Sequence, residues 1–223
     1  MRAFLLAVFL MALGVSGGHA STYRLLVLDG HPVKWGESRF GAGTSLTYSF
    51  VREPVAFPGA INCKAMVPVA ALLDRSDIAA GAFEAAVRGA FREWERVANL
   101  SFAYVADPAA ADILIGAQAQ PQGIAFANVR HDRSATGSIA PITGASICYN
   151  PLLSWEVGLD GNRKTFSIGQ ITTHEIGHTI GLDHPGRSGQ LMGYRYTEED
   201  PGLQPGDVMG AVKLYGRAPI SAR

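Results

Sequence analysis

The stretch HEIGHTIGLDH, from His174 to His184, decides the fold because it carries three histidines at spacings that suit one metal ion. His174 and His178 are four residues apart, so a helix would place both imidazoles on one face. Gly181 would end that helix with a positive φ, which glycine adopts without strain, and the chain could then return with His184. Three imidazoles leave a fourth tetrahedral position open, which is typical of a catalytic zinc site.

The sequence before this motif predicts the helix that holds it. Ser167 and Gln170 form the pattern of a capping box, so we expect a helix over 168–180. Its apolar positions point in several directions, which predicts burial on most sides. Glu175 follows the first histidine, where its carboxylate would touch a water on the metal without binding the metal itself.

The extended pattern resembles that of the metzincin zinc peptidases, in which the same motif is followed by a methionine in a tight turn beneath the metal. Met192, eight residues after His184, stands in the place of that methionine. Three further segments are similar, in the same order, to the first helix, the next strand and the closing helix of the matrixin catalytic domain. They are AFREWERV (90–97), ADILI (111–115) and DVMG (207–210).

The resemblance implies an α+β fold of the metzincin type. We expect a mixed twisted sheet packed on two long helices, with the active-site helix followed by a methionine turn and a C-terminal helix. It also implies one catalytic zinc ion held by His174, His178 and His184. Glu175 would be the general base of a secreted endopeptidase that hydrolyses peptide bonds in proteins, including those of the extracellular matrix. Asp207 would brace the methionine turn.

Tyr194 follows Met192 by two places, a spacing similar to that of serralysins and astacins rather than matrixins. The resemblance implies a catalytic tyrosine, either a fifth zinc ligand or a stabiliser of the oxyanion. The alternative is that Tyr194 forms a wall of the pocket beside the scissile bond. Tyr196 is expected to be a wall residue.

A second functional hypothesis comes from another class. The chain could be a non-catalytic secreted binding module on a metzincin scaffold, with a zinc site that has lost its activity. The presence of all three histidines together with Glu175 favours the enzyme.

The N-terminal residues have the pattern of a secretory signal peptide. Arg2 is followed by an apolar run from Ala3 to Val15 and by the small-residue site Gly18-His19-Ala20. We therefore expect a signal peptide over 1–20 and one zinc metallopeptidase domain over 21–223. The protein would be secreted, to the extracellular space or the periplasm, without a stable membrane anchor.

Composition gives no reason to expect a nucleic-acid partner. The chain has 19 Lys and Arg residues, including Arg2, against 19 Asp and Glu residues, so its charge is balanced. Hydrophobic residues make up 48% of it, as in ordinary globular proteins. We expect a monomer whose partner is a protein or peptide substrate bound as an extended strand.

Cys63 and Cys148 are the only two cysteines of the sequence. In a secreted protein such a pair most often forms a disulfide, which would close a loop of about 85 residues. The alternative is that Cys63 supplies a thiolate to the zinc and holds the enzyme inactive.

Periodicity predicts a first long helix over 74–99, with an apolar face that includes Phe83, Phe91 and Trp94. Short strands are expected over 23–28, 46–51, 100–105, 113–116, 124–128 and 146–149. The segment 123–128 resembles the matrixin edge strand above the active-site cleft, which would pair with the substrate.

The loop 130–144 departs from the matrixin pattern. Matrixins place a structural zinc ion and calcium ions in this region, and here only His131 and Asp132 are available. We therefore expect no structural zinc, whereas calcium binding stays open. His31 and His131 are predicted to be surface loop residues rather than ligands.

Overall fold

The structure is a computed structural model that describes residues 23–159, 161, 164–186, 189–199 and 202–219. The predicted signal peptide over 1–20 lies outside the described residues. No helix within the described ranges is both long and apolar enough to span a bilayer.

Thirteen strands and four α-helices make up the described chain. The strands are β1 (Arg24–Leu25), β2 (Val27–Leu28), β3 (His31–Lys34), β4 (Thr44–Phe50), β5 (Val55–Ala56), β6 (Ala65–Val67), β7 (Leu100–Tyr104), β8 (Ile113–Gln118), β9 (Ala125–His131), β10 (Ala140–Tyr149), β11 (Trp155–Glu156), β12 (Phe166–Ser167) and β13 (Leu182–Asp183). The helices are α1 (Ala70–Ser76), α2 (Ala80–Val97), α3 (Ile168–Thr179) and α4 (Pro205–Tyr215).

The main sheet is mixed, as the resemblance implied. Its strands follow the order β2-β3-β10-β8-β4-β7, and the pairs from β3 to β7 are parallel. Strand β9 pairs antiparallel with β10, from Ala125 opposite Tyr149 to His131 opposite Ile142. Among the described residues, β10 is the one strand with which β9 pairs, so the other edge of β9 is left for the cleft.

The two longer helices, α2 and α3, pack against each other and supply much of the core. Trp94 on α2 is fully buried, and its indole Nε1 donates a hydrogen bond to the carbonyl of Thr173 on α3 at 2.9 Å. A buried tryptophan that also satisfies its N–H group fixes the distance and the rotation of the two helices.

The predicted single helix over 74–99 is wrong in its first part. The chain forms α1 and α2 instead, and they are separated at Asp77, which has a left-handed φ of 52°. The backbone N–H of Asp77 bonds to the carbonyl of Leu73, which closes α1. Ala79 is extended and begins the second helix. Asp is one of the few residues that tolerate this turn conformation.

The predicted disulfide is confirmed. Cys63 and Cys148 are bonded, so neither thiol is free to bind zinc. The bond ties the loop after β5 to β10, where Cys148 is fully buried. The alternative in which Cys63 supplies a zinc ligand is therefore wrong for this structure.

The C-terminal helix α4 closes the core behind the active-site helix. The Tyr215 hydroxyl is buried; it accepts a hydrogen bond from the backbone N–H of Trp35 at 3.1 Å and donates one to the carbonyl of Ile180 at 2.8 Å. The end of α3 is thereby held by two other elements of the fold.

Candidate active site

Helix α3 begins where the capping pattern predicted. The Ser167 hydroxyl accepts a hydrogen bond from the backbone N–H of Gln170 at 3.3 Å. The reciprocal half of the expected capping box is absent, because the Gln170 side chain turns away from the helix start. Its Nε2 donates to the carbonyl of Thr197 at 2.5 Å instead.

The turn after α3 requires the glycine that the sequence places there. Gly181 has a φ of 99°, and a Cβ at this position would lie 2.2 Å from the carbonyl oxygen of Val33. A side chain would therefore meet backbone as well as adopt a strained conformation. With glycine, the chain reverses closely enough for His184 to return to the helix.

The three predicted ligands come together. The Nε2 atom of His184 lies 3.2 Å from that of His174 and 3.2 Å from that of His178. A tetrahedral zinc ion with Zn–N bonds of 2.0–2.1 Å would hold its nitrogen ligands about 3.4 Å apart. Within the described parts of the chain, this is the one group of three side chains that could hold a metal ion.

The ring orientations also fit a cation. The Nδ1 atom of His174 lies 2.7 Å from the Leu191 carbonyl, and that of His178 lies 2.8 Å from the Leu182 carbonyl. Since a carbonyl only accepts, each Nδ1 carries the proton and each Nε2 presents a lone pair. Lone pairs that converge within 3.2 Å need a positive charge between them, and zinc meets that need.

Burial keeps these rings neutral. It lowers the pKa of His174 to about 4 and that of His178 to about 3. The pKa of His184 is lowered too, mainly by burial. Zinc binds the neutral form of imidazole, so the rings need not release protons at pH 7 before they bind the metal.

Glu175 is 6% exposed and lines the cleft beside the histidines. Burial raises the pKa of its carboxyl group to about 8, against the effect of a hydrogen bond from the backbone of Ala127. A neighbouring cation would lower that pKa, because it favours the ionised form. The carboxylate is thus placed between the edge strand β9 and the ligands.

Met192 is buried beneath the ligands and packs against α3 at a position that has no side chain. A Cβ on Gly177 would lie 2.1 Å from the Met192 sulfur and 3.0 Å from the Trp94 ring. The expected methionine turn is therefore present, and Gly177 is what allows it to approach the helix.

The two tyrosines after Met192 differ in their surroundings. The Tyr194 ring lies edge-on to the His184 ring, with 5.2 Å between centroids, and is 83% exposed. The Tyr196 hydroxyl accepts from the backbone N–H of Ser167 at 3.1 Å and donates to Glu198 Oε1 at 3.0 Å. Tyr196 is therefore a wall of the cleft, as expected.

The site lies at the bottom of a cleft with a cavity volume of about 1130 Å³. Strand β9 forms one side of the cleft and the segment 190–197 forms the other. The loop 56–62, held by the Cys63–Cys148 bond, adds a further wall that was not predicted. The predicted bond from Cys63 to Cys148 was the signal that could have located this loop, because Cys148 lies on the strand next to the predicted edge strand.

His31 and His131 are not loop residues, contrary to expectation, because each lies at the end of a strand. His131 Nε2 is 3.3 Å from the Asp29 carboxylate. Neither histidine belongs to a group of three metal-ligating side chains within the described ranges.

Sequence comparisons place the chain among known proteins. The profile of the Matrixin family, peptidase family M10, matches residues 70–216. Metalloendoproteinase 1-MMP of Arabidopsis thaliana is 31% identical over 139 residues, which is 59% of this chain and 37% of that protein. Interstitial collagenase A of Mus musculus is 29% identical over 140 residues, 61% of this chain and 29% of that protein. For matrix metalloproteinase-19 of Homo sapiens the values are 31% over 138 residues, 60% and 26%.

The chain thus spans between 26% and 37% of the length of these relatives. The matched residues include all three histidines, Glu175 and Met192. On the family match and the α+β architecture together, the chain belongs to the matrixin family of zinc metalloendopeptidases.

Proposed function

We propose that this protein is a zinc-dependent endopeptidase that cleaves peptide bonds in proteins, with His174, His178 and His184 as the zinc ligands. The observation that carries the proposal is the convergence of three Nε2 atoms, with 3.2 Å from His184 to each of the other two. The family match supports the same activity, and the names of the relatives include a collagenase and a hatching enzyme.

Zinc, when bound, would supply a Lewis acid that acidifies a water molecule and polarises the substrate carbonyl. Glu175 is the general base in this proposal. Its carboxylate takes a proton as the water oxygen bonds to the carbonyl carbon. It returns that proton to the amine nitrogen as the carbon–nitrogen bond breaks. Its burial and its place beside the ligands support this role.

The substrate would bind as an extended strand along β9. The edge of β9 that faces the cleft has backbone N–H and C=O groups for such a strand, because β10 occupies the opposite edge. Main-chain hydrogen bonds of this kind hold a peptide whatever its sequence. Side-chain preference must then come from the walls of the cleft.

Tyr194 is the second catalytic residue that we propose. Its ring contacts the ring of His184, and its exposure leaves the hydroxyl free to approach a substrate. A phenol at this place would donate a hydrogen bond to the negative charge that develops on the carbonyl oxygen.

The sequence pattern supports a proposal for the wider setting of the protein. Residues 1–20 would be a signal peptide, and residues 21–223 would form one secreted catalytic domain that acts as a monomer. One zinc ion would be its cofactor. Calcium is a separate question that metal analysis of the purified protein would answer.

The test compares the parent with Glu175→Ala. The variant should retain about one zinc ion per chain and lose nearly all hydrolysis of casein and of a quenched peptide. Glu84→Ala, on the exposed face of α2, is the matched control and should keep the parent activity. Cleavage by Glu175→Ala at the parent rate would contradict the mechanism. Zinc without turnover in the parent would favour the binding module instead.

A further inference from the structure

We infer that Arg130 selects substrates that carry an acidic side chain, Asp or Glu, a few residues before the scissile bond. The inference rests on the proposed peptidase function and adds a substrate class to it. It comes from a guanidinium group that the fold holds at the wall of the cleft without a carboxylate partner.

Two neighbours hold the Arg130 side chain in place. Arg130 stands near the end of β9, opposite Gly144 on β10. A Cβ on Gly144 would lie 2.7 Å from Arg130 Cζ and 2.9 Å from its Nε, so the side chain crosses a space that glycine leaves open. On the other side, the centroid of the Phe57 ring in loop 56–62 lies 5.9 Å from Cζ. A guanidinium group confined in this way loses little further freedom when it pairs.

The charge of this guanidinium group is not neutralised within the described protein. Arg130 is exposed, lines the cleft and belongs to none of the ion pairs among the described residues. Of the described cleft residues, Asp29 and Glu175 carry carboxylates. Asp29 is paired with Arg133 at 3.0 Å, and Glu175 transfers the proton in the proposed function. Arg130 is therefore available to a carboxylate that enters with the substrate, and its planar fork suits that group.

The position of Arg130 along β9 indicates which part of a substrate it would meet. The backbone of Ala127 donates a hydrogen bond to the Glu175 carboxyl group, so the reacting bond lies beside Ala127. Arg130 is three residues further along β9, about 10 Å away at the rise of a strand. A substrate strand antiparallel to β9, the better-bonded arrangement, would run towards Ala125. Its residues beside Arg130 therefore precede the scissile bond.

The side chains of such a substrate would alternate between the two faces of the sheet. Residues directly opposite each other on neighbouring strands project to the same face. A substrate residue opposite Arg130 would therefore project to the face on which Arg130 contacts Phe57. An acidic side chain there would meet the guanidinium group, whereas a basic one would meet a like charge and a neutral one would gain no ion pair. We expect kcat/KM to follow the order Glu, Gln, Lys at this position.

The first experiment uses the parent enzyme and quenched peptides with Glu, Gln or Lys at the second, third or fourth residue before the scissile bond. The same substitutions after the bond serve as the internal comparison. We expect kcat/KM to be about fivefold higher for Glu than for Gln at one position before the bond, mainly through a lower KM. Raised salt should reduce the difference, because the pair is exposed.

Three results would contradict the inference. They are equal values for Glu and Gln at every position before the bond, a preference for Lys there, and a preference for Glu that is confined to positions after the bond. In each case cleavage itself would still uphold the proposed function. Absence of cleavage of every peptide by zinc-loaded enzyme would overturn both.

The second experiment changes the charge. Arg130→Gln should bring the Glu to Gln ratio to about one with zinc content unchanged, and Arg130→Glu should favour the Lys peptide. Arg88→Gln, the same change on the exposed face of α2 outside the cleft, should retain the parent ratio. A Glu preference that survives in Arg130→Gln would overturn the inference.

The third experiment moves the guanidinium group without removing its charge. Gly144 has no positive φ, so its backbone accepts alanine, and the new methyl group in Gly144→Ala would displace the Arg130 side chain. The Glu to Gln ratio should fall at least twofold. Gly137→Ala is the control, because its Cβ would meet nothing closer than 3.8 Å. A parent ratio in Gly144→Ala would show that the held position of Arg130 is not what selects the substrate. Should Gly144→Ala fail to fold, Phe57→Leu, which removes the ring beside Arg130, replaces it with the same expected result.

Discussion

The carboxylate of Asp207 accepts a hydrogen bond from the backbone N–H of Met192 at 3.1 Å. The other carboxylate oxygen accepts from the N–H groups of Leu191 and Gln204, at 2.8 Å each. Leu191 also provides the carbonyl that orients the ring of His174, at 2.7 Å. One buried carboxylate on α4 thus fixes the residue that positions the first zinc ligand, in agreement with the bracing role that the resemblance implied.

Asp207→Ala should therefore lower the free energy of unfolding by about 3 kcal/mol, because it leaves buried N–H groups without an acceptor. Asp207→Asn keeps one carbonyl oxygen and should lose less. Urea denaturation measures both, with the exposed Asp74→Ala as control. We also expect weaker zinc binding by Asp207→Ala in a competition titration. Parent-like stability and zinc affinity would show that the turn holds itself.

Gly177→Ala should disturb the site although alanine favours helix. The new methyl group would lie 2.1 Å from the Met192 sulfur. We expect a loss of about 2 kcal/mol from overpacking, together with reduced kcat. Gly169→Ala is the control in the same helix, because its Cβ would meet nothing closer than Ser167 Oγ at 3.8 Å. That variant should be as stable as the parent or more so. The unfolding midpoints of the two variants, each compared with that of the parent, test this prediction.

The sequence predicted the site better than its surroundings. Local rules of helix geometry predict the histidine spacing, the turn at Gly181 and the cap at Ser167. Such rules hold whatever the tertiary context. The break between α1 and α2 was missed because one left-handed residue, Asp77, redirects the chain without altering the apolar pattern of the helix that follows it. Strands were found, but β10 is longer than its apolar core suggested.

The side chain of Gln170 shows why the remainder could not be predicted. A capping box depends on two residues, and the sequence supplied both. Yet Gln170 bonds to the Thr197 carbonyl, a partner that only the tertiary fold brings near. The wall formed by loop 56–62 is a different case, because the predicted Cys63–Cys148 bond already indicated that this loop lies beside the strand next to the predicted edge strand.

Tyr194→Phe removes the hydroxyl and keeps the ring against His184. If the hydroxyl stabilises the oxyanion, kcat should fall about 100-fold with little change in KM, because the bond forms only in the transition state. Tyr196→Phe is the control, as its hydroxyl serves Ser167 and Glu198. The Tyr196→Phe change should affect the stability of the protein rather than kcat. An unchanged kcat in Tyr194→Phe would assign this residue to the wall.

Loss of the Cys63–Cys148 bond should destabilise the protein. The bond joins residues 85 positions apart, and the chain-entropy argument gives about 4 kcal/mol for a loop of this size. We expect Cys63→Ser/Cys148→Ser to unfold at lower urea and to have a higher KM for long substrates, because loop 56–62 is released from the cleft wall. Dithiothreitol should reproduce the effect in the parent and leave the double variant unchanged. If the parent is reduced and its stability and KM do not change, this account is contradicted.

Lys34 should make stability rise with pH on the alkaline side. The side chain is fully buried, with Nζ donating to the carbonyls of Trp35 and Glu37 at 2.7 Å each. Burial lowers its pKa from 10.5 to about 8. Below pH 8 both folded and unfolded chains carry the proton, and the folded chain bears the full cost of the buried charge. Between about 8 and 10.5 the folded chain releases the proton first, so unfolding takes one up and becomes harder as pH rises.

Because other groups titrate as well, the measurement is a difference between parent and Lys34→Met. The parent's free energy of unfolding, less that of the variant, should grow by about 2–3 kcal/mol from pH 7 to pH 10. Urea denaturation at half-unit intervals of pH measures it, with zinc held constant. A difference that stays flat, or that falls with pH, would show that Nζ keeps its proton in the folded chain. Its two carbonyl partners would then outweigh the cost of burial.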